Sequence, residues 1–305
     1  MKRLRKILKW NDWVAFFALS IIWGSSFILI KKSLIAFNGY EVANLRILIT
    51  TIFFLPYFIF NIKKIDFKQW YKFLLVGLAG GGIPTFLFAI AQTKVSSSLA
   101  GALNTLTPIF TLIIAVLFFT VKVNLKNISG VIISFLGAGL MIILGNPDFT
   151  GSITYSLLII IATVFYAINI NLVKKYFSDM NAVLLTAVSF ISFGFISLIP
   201  LIRGNFIDIM ISDDRAWLSL SAVIVLSLLS TVLGTILFFK LVQKSNAIFA
   251  SSVSFMAPVI SFLLGLLDGE KIDVVGILGL ILILVGIYLT RNRKNNIKNL
   301  SDEQK

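Results

Sequence analysis

The sequence predicts an all-α integral membrane protein of ten transmembrane helices, arranged as two inverted five-helix repeats. Three observations carry this prediction: an apolar composition, ten long apolar segments, and one stretch that occurs twice. Of the 305 residues, 58% are hydrophobic and only 13% are charged. Soluble domains carry roughly 25% charged residues, so a chain of this composition is suited to lipid rather than to water.

The repeated stretch begins at Lys94 and returns at Lys244, and each copy has a proline well inside an apolar segment. Self-similarity at a long period is the signature of a duplicated structural unit. The ungapped alignment of the two copies pairs Lys94 with Lys244, Ser96 with Asn246, Ala100 with Ala250, Asn104 with Ser254, and Pro108 with Pro258. The chain is therefore predicted to contain two copies of one membrane unit.

A spanning helix requires about 20 mostly apolar residues. The ten segments that meet this requirement are Trp13–Ile30, Val42–Phe60, Trp70–Ile90, Ser97–Phe119, Asn127–Leu144, Ser152–Val173, Asn181–Ile202, Ala216–Phe239, Ala247–Leu267 and Ile272–Thr290. The predicted organisation is a basic arm (1–12), a first repeat (13–145), a second repeat (146–290) and a polar tail (291–305). No soluble domain is expected.

The positions of the basic residues predict the orientation. With the N-terminus inside, 20 of the 27 Lys and Arg residues fall in inner segments, 6 in outer segments and 1, Arg46, within a span. Inner segments of membrane proteins carry this excess. We therefore expect a multi-pass protein of the cell membrane, inner or plasma, with both termini cytoplasmic. The net charge of +14 is a topology signal, so the expected partner is the lipid bilayer and no nucleic acid is expected.

The odd number of spans in each unit predicts how the units are related. After five spans the second copy enters the bilayer with opposite polarity, and inverted repeats place a pseudo-two-fold axis in the membrane plane. A site on that axis is reachable alternately from either face. In the first helix of each repeat, Trp23 and Lys31 correspond to Tyr166 and Lys174. The pattern predicts a carrier of small molecules.

Several motifs occur in a characteristic order. They are Trp23-Gly24-Ser25-Ser26-Phe27, Arg46 early in the second span, the runs into Pro108 and Pro258, and Gly269-Glu270 ahead of Gly279 and Gly286. Over residues 13–290 the sequence resembles the EamA-type ten-helix members of the drug/metabolite transporter superfamily. The resemblance implies transport through a cavity built by helices 1, 3, 4, 6, 8 and 9. Thr120-Val121 departs from it, because the resemblance implies Gly-Glu there.

Polar side chains in hydrocarbon are costly unless they face the bundle interior or a wet cavity. The predicted substrate-binding residues are Trp23, Ser26, Arg46, Asn104, Thr107, Tyr166, Asn169 and Ser254. Each has an alternative: hydroxyls also pack membrane helices closely, and the aromatic rings also fill cores. Pairing with Glu41, or snorkelling, explains Arg46 as well as the binding of a substrate carboxylate does. Pro108 and Pro258 are predicted to kink continuous helices beside Asn104 and Ser254.

The function expected from these features is alternating-access transport of amino-acid-like or similar small polar or amphipathic compounds, by an exporter or exchanger. The alternative is an uptake permease for an amine, nucleobase or sugar. The chain has no His and no Cys, so neither an enzyme, a cofactor nor a metal site is expected. No Asp or Glu lies centrally in a span, which favours a facilitator or exchanger over steep proton coupling. The last helix of each repeat is expected to be peripheral scaffold or the contact of a homodimer.

Overall fold

The structure, a computed structural model, describes residues 11–121, 123–145, 152–260 and 274–290, and this part of the chain is helical. Most of the basic arm, the polar tail, the end of the ninth predicted span and Gly269-Glu270 lie outside the described residues. The first repeat contains α1 (Asp12–Ser33), α2 (Gly39–Asn61), α3 (Trp70–Gly77), α4 (Ile83–Ala91), α5 (Ser97–Asn104), α6 (Thr107–Phe119) and α7 (Leu125–Gly145).

The second repeat contains eight described helices. These are α8 (Ile153–Tyr176), α9 (Ala182–Ile191), α10 (Leu198–Arg203), α11 (Phe206–Ser212), α12 (Ala216–Val225), α13 (Gly234–Lys244), α14 (Ala247–Ser251) and α15 (Val274–Thr290). A π-helical segment, Leu78–Gly82, joins α3 to α4, and a second, Leu226–Leu233, joins α12 to α13. Apolar composition does not reveal such a change of helical period, so neither segment was predicted.

The described helices account for several membrane spans. Six are long and apolar enough to cross a bilayer. A seventh span results if α9 and the helical stretch Gly194–Arg203, which meet at a bend of 47°, count as one. Three further apolar helices are shorter within the described residues, namely Leu125–Leu140, Ala247–Ile260 and Ile277–Thr290. Each of the ten predicted spans overlaps one of these helices, while their number stays a prediction.

Large apolar side chains cover much of the outer surface. Phe60 is 86% exposed, Phe118 73% and Tyr288 68%. Soluble proteins rarely expose such side chains in contiguous patches, and a bilayer supplies the surroundings that this surface requires. The helices therefore present apolar faces outward and hold their polar side chains inside.

The last helices of the two repeats, α7 and α15, pack against each other in opposite directions. Gly130 lies against Gly286 and Gly137 against Gly279, so that a Cβ added to Gly130 would meet the Gly286 carbonyl oxygen at 2.6 Å. The sequence pairs Gly130 with Gly279 and Gly137 with Gly286 as repeat equivalents. In an interface with two-fold symmetry, if one residue contacts the copy of a second residue, the second contacts the copy of the first. Gly130 contacts Gly286, the equivalent of Gly137, and Gly137 contacts Gly279, the equivalent of Gly130, so the contacts fit that relation.

The fourth predicted span is interrupted. α5 ends at Asn104, a turn follows, and Pro108 is the second residue of α6. Because proline is well tolerated in the first turn of a helix, Pro108 starts a new helix here. In the second repeat the corresponding stretch tightens into a 3₁₀ turn at Ser252–Phe255. The kink predicted at Pro108 therefore takes the form of a two-residue turn between α5 and α6, within a stretch that counts as one span.

α6 is followed by its C-cap residue Thr120, whose φ of 50° places it in the left-handed region. This position favours glycine, because a Cβ crowds the following carbonyl there. Thr120 is the residue at which the sequence departs from the Gly-Glu pattern. The local geometry thus gives a physical reason for the glycine that the resemblance implies.

Candidate functional site

One cavity of about 80 Å³ lies between the two repeats. Its lining residues are Trp23, Ser26, Phe27, Ile30, Arg46, Gly80, Gly81, Thr85, Phe88, Asn104, Thr107, Tyr166, Asn169, Ile170, Ser230, Thr231, Thr235, Phe238, Phe239 and Ser254. All eight of the predicted substrate-binding residues are among them. The structure therefore brings together side chains that lie up to 231 positions apart, between Trp23 and Ser254. Their role in binding stays a prediction.

The walls of the cavity are related by the repeat. The register that aligns Lys94 with Lys244 also aligns Gly80 with Ser230, Gly81 with Thr231, Thr85 with Thr235, Phe88 with Phe238, and Asn104 with Ser254. The register that aligns Lys31 with Lys174 pairs Trp23 with Tyr166, Ser26 with Asn169, and Phe27 with Ile170. Both members of every one of these pairs line the cavity. The cavity thus lies where the pseudo-two-fold axis is expected.

Aromatic rings form two equivalent walls. Trp23 packs on Phe238 with the ring centroids 4.7 Å apart, and Tyr166 stacks on Phe88 at 5.9 Å. In each pair, one ring comes from the first predicted span of a repeat and the other from the third predicted span of the opposite repeat. Trp23 and Tyr166 therefore pack against neighbouring rings, as the alternative interpretation expects, and they also line the cavity.

Hydrogen bonds across the cavity join the two repeats. Trp23 Nε1 donates to the Ser230 carbonyl at 3.1 Å, and Asn169 Nδ2 donates to the Val76 carbonyl at 2.8 Å. Both carbonyls lie in or next to a π-helical segment. Such segments interrupt the regular backbone ladder and are frequent at functional sites. Here they let side chains of the opposite repeat contact the main chain at membrane depth.

Asn104 and Thr107 lie at the break between α5 and α6. The Thr107 hydroxyl and Asn104 Oδ1 are 3.2 Å apart, and both residues are buried. Asn104 keeps amide donors as well as its acceptor, all of which require partners in a membrane interior. The opposite repeat places the buried Ser254 at the equivalent position. The helix break therefore presents hydrogen-bonding groups to the cavity from both sides.

Arg46 extends from α2 to the second repeat. Its Nε donates to Thr231 Oγ1 at 2.6 Å. Glu41, the alternative partner, instead accepts a hydrogen bond from the Asn38 backbone at 2.8 Å and completes the N-cap of α2. Within the described residues the single side-chain ion pair joins Arg215 to Asp213. The predicted pairing of Arg46 with Glu41 is therefore absent from this part of the chain.

The sequence analysis missed the cavity residues of the third predicted span in each repeat. These are Gly80, Gly81, Thr85 and Phe88, with Ser230, Thr231, Thr235, Phe238 and Phe239. The repeat register was the signal that could have found them, because it aligns Thr85 with Thr235 and Phe88 with Phe238. Among the described residues, no group of three or more His, Cys, Asp or Glu side chains could hold a metal ion.

A helical bundle with an apolar exterior and a cavity lined by both repeats fits a multi-pass membrane transporter. The EamA-like transporter family matches residues 12–143 and, a second time, residues 153–292. The chain therefore belongs to the EamA-like transporter family, which confirms the resemblance found in its sequence motifs.

Relatives with similar sequences span most of this chain. An uncharacterized transporter of Archaeoglobus fulgidus is 27% identical over 285 residues, which cover 93% of this chain and 100% of the relative. The uncharacterized transporter YdfC of Bacillus subtilis is 26% identical, with 90% of each chain covered. A solved structure described as "Crystal structure of protein" has a TM-score of 0.66 at 15% identity and covers 90% of this chain and 94% of its own. That last likeness concerns the fold alone.

Proposed function

We propose that this transporter moves small, amino-acid-like or similar polar or amphipathic metabolites by alternating access, as an exporter or exchanger. The observation that carries the proposal is the cavity, whose walls come in equivalent pairs from the two repeats. Rocking of the halves would expose this cavity to each face in turn. The complete arrangement would be ten spans in the cell membrane with both termini in the cytoplasm.

The proposed binding residues are the eight that the sequence analysis selected, and their positions along the cavity support this role. Trp23 and Tyr166 supply aromatic faces, Asn104, Asn169, Ser26, Thr107 and Ser254 supply hydrogen-bonding groups, and Arg46 supplies the positive charge. A cavity of about 80 Å³ exceeds the roughly 10–15 Å³ that a water molecule requires, but it is small for a metabolite. A metabolite would therefore enter a more open state of the cavity than this one.

Two measurements test this function. Purified protein is screened with a metabolite panel for thermal stabilisation, because a ligand that binds only the folded state stabilises it. Compounds that stabilise the protein are then followed in proteoliposomes, with and without the same compound on the opposite side. Acceleration by substrate on the opposite side indicates exchange, and the direction under a physiological gradient separates export from uptake. Failure of every compound to move faster than through protein-free vesicles would refute the proposal.

Asn104→Leu tests the site itself, with Asn127→Leu as its matched control. Both asparagines are buried, but Asn127 lies near the start of α7, away from the cavity lining, and its Oδ1 has no hydrogen-bond partner in the described chain. We expect Asn104→Leu to fold and to lose most of its transport, and Asn127→Leu to retain it. Normal transport by Asn104→Leu would remove Asn104 from the site.

A further inference from the structure

The charge of the cavity has one sign. Arg46 is the one charged side chain among the twenty lining residues, which include no Asp, Glu or Lys. An arginine remains protonated in proteins, so the cavity holds a permanent positive charge at membrane depth. Unpaired charges in such surroundings are costly and characteristically mark pathways of substrates or ions.

The contacts of Arg46 leave most of its guanidinium available. Thr231 accepts the hydrogen bond of Nε, and in the described residues the two terminal amino groups have no hydrogen-bond acceptor and no carboxylate partner. Glu41 is held at the N-cap of α2. The planar fork of a guanidinium matches the two oxygens of a carboxylate, which it binds in bidentate fashion.

This charge breaks the pseudo-symmetry of the cavity. The register that aligns Asn38 with Asn181, the N-caps of α2 and α9, places Ser189 at the position equivalent to Arg46. Ser189 is buried, and its hydroxyl has no hydrogen-bond partner among the described residues. The first repeat therefore supplies a charge that the second repeat does not match. A ligand held here would have one anionic end.

The remaining walls are suited to an apolar body. Trp23 with Phe238, and Phe88 with Tyr166, form the two aromatic pairs, and Phe27, Ile30 and Ile170 complete the apolar surface. Aromatic faces attract cations in the absence of competing charge. In this cavity the positive charge of Arg46 repels a bound cation, and the lining has no acidic side chain to neutralise that charge.

We propose that the cavity selects small organic carboxylates with an apolar or aromatic body. The carboxylate oxygens accept hydrogen bonds from the terminal amino groups of Arg46, and the body lies between the two aromatic pairs. The inference rests on the proposed transport function and deepens it by naming the substrate class. It disfavours amines, and it assigns to Arg46 the role of distinguishing anions and zwitterions from cations.

Two matched ligand sets test this selectivity with the full-length protein in detergent. The first contains 3-phenylpropionate, phenylalanine and 2-phenylethylamine, and the second contains 4-methylpentanoate, leucine and 3-methylbutylamine. In each set the body is kept while the carboxylate, the ammonium group, or both are present. We expect thermal stabilisation of the wild-type protein by a carboxylate-bearing member of at least one set, and none by either amine. Comparison of the plain acid with the amino acid then shows whether an ammonium group is tolerated.

Variants locate the effect at Arg46. Loss of a charge-assisted, two-oxygen contact is expected to weaken carboxylate binding about 10-fold to 100-fold in Arg46→Gln. Arg46→Lys keeps the charge without the fork and should retain the preference for carboxylates over amines at reduced affinity. Arg203→Gln removes a positive charge from the exposed end of α10 and should bind carboxylates like the wild type.

Several outcomes would overturn the assignment. These are stabilisation by the amines equal to that by the acids, unchanged carboxylate binding in a folded Arg46→Gln protein, or no stabilisation of the wild type by any carboxylate at millimolar concentration. The wild-type comparison remains decisive if Arg46→Gln does not fold. Transport of compounds that lack a carboxylate, with no transport of carboxylate-bearing ones, would refute the substrate class while leaving the transport function intact. Absence of transport for every charge class would refute the function itself.

Discussion

A methyl group added at Gly80 should directly displace Asn169, a residue that lines the cavity. A Cβ built there would lie 2.4 Å from Asn169 Nδ2 and 2.7 Å from Asn169 Cγ. Asn169 is only 2% exposed, and its amide donates to the Val76 carbonyl at 2.8 Å. Gly80→Ala therefore forces the Asn169 side chain away from its hydrogen-bond partner or forces the two helices apart.

The expected cost follows from two opposing effects. A buried polar group left without its partner costs about 1–3 kcal/mol, and overpacking a close contact costs about 1–3 kcal/mol. Alanine regains up to about 1 kcal/mol over glycine in a helix. Since this gain partly offsets either cost, we expect Gly80→Ala to lower the free energy of unfolding by up to about 3 kcal/mol and to impair transport, because Asn169 lines the cavity.

Gly139→Ala is the matched control, because a Cβ added at Gly139 meets nothing within 4 Å. The control should be as stable as the wild type or more stable, by up to about 1 kcal/mol. Thermal and chemical unfolding in detergent compare the two variants. In Gly80→Ala/Asn169→Ala the clash disappears, so the two substitutions should be strongly non-additive. A Gly80→Ala protein as stable as Gly139→Ala would refute the reasoning.

Two further substitutions test local features of the fold by the same unfolding measurements. Thr120→Gly should raise the free energy of unfolding by about 1 kcal/mol, because it removes a Cβ from a left-handed residue; destabilisation would show that the threonine side chain matters more than its backbone conformation. The equivalent ends of α4 and α13 should respond in opposite ways. Gln243→Leu loses two hydrogen bonds to the carbonyls of Phe177 and Met180 and should cost about 1–3 kcal/mol. Gln92→Leu replaces a fully buried amide that has no partner in the described chain and should be neutral or stabilising, and equal losses at both positions would contradict this asymmetry.

Much of the architecture follows from the sequence because a bilayer restricts it strongly. Apolar length locates the helices, and the duplication pairs Asn104 with Ser254 and Trp23 with Tyr166, all of which the structure places in one cavity. Composition and repeat register are properties of the chain alone. They also place Gly130 and Gly137 on the helices that meet in antiparallel fashion.

Other features depend on contacts that the chain does not encode locally. The π-helical segments change the period without changing the composition, and they rotate Ser230 and Thr231 toward Trp23 and Arg46. Glu41 lies near two possible partners in the sequence, the N-cap residue Asn38 and Arg46. In the structure its carboxylate accepts a hydrogen bond from the Asn38 backbone. Pro108 is compatible with both a kink and a new helix start. The helix that forms begins after the turn that follows Asn104.

The backbone contact of α7 with α15 has a consequence for how such a protein can move. Glycines on both helices bring main chain against main chain, so sliding or separation of this pair would require a large local repacking. The pair joins the final segment of each half, while the cavity lies among the other helices. If the two halves rock against each other, we expect the contact of α7 with α15 to be the part of their interface that changes least.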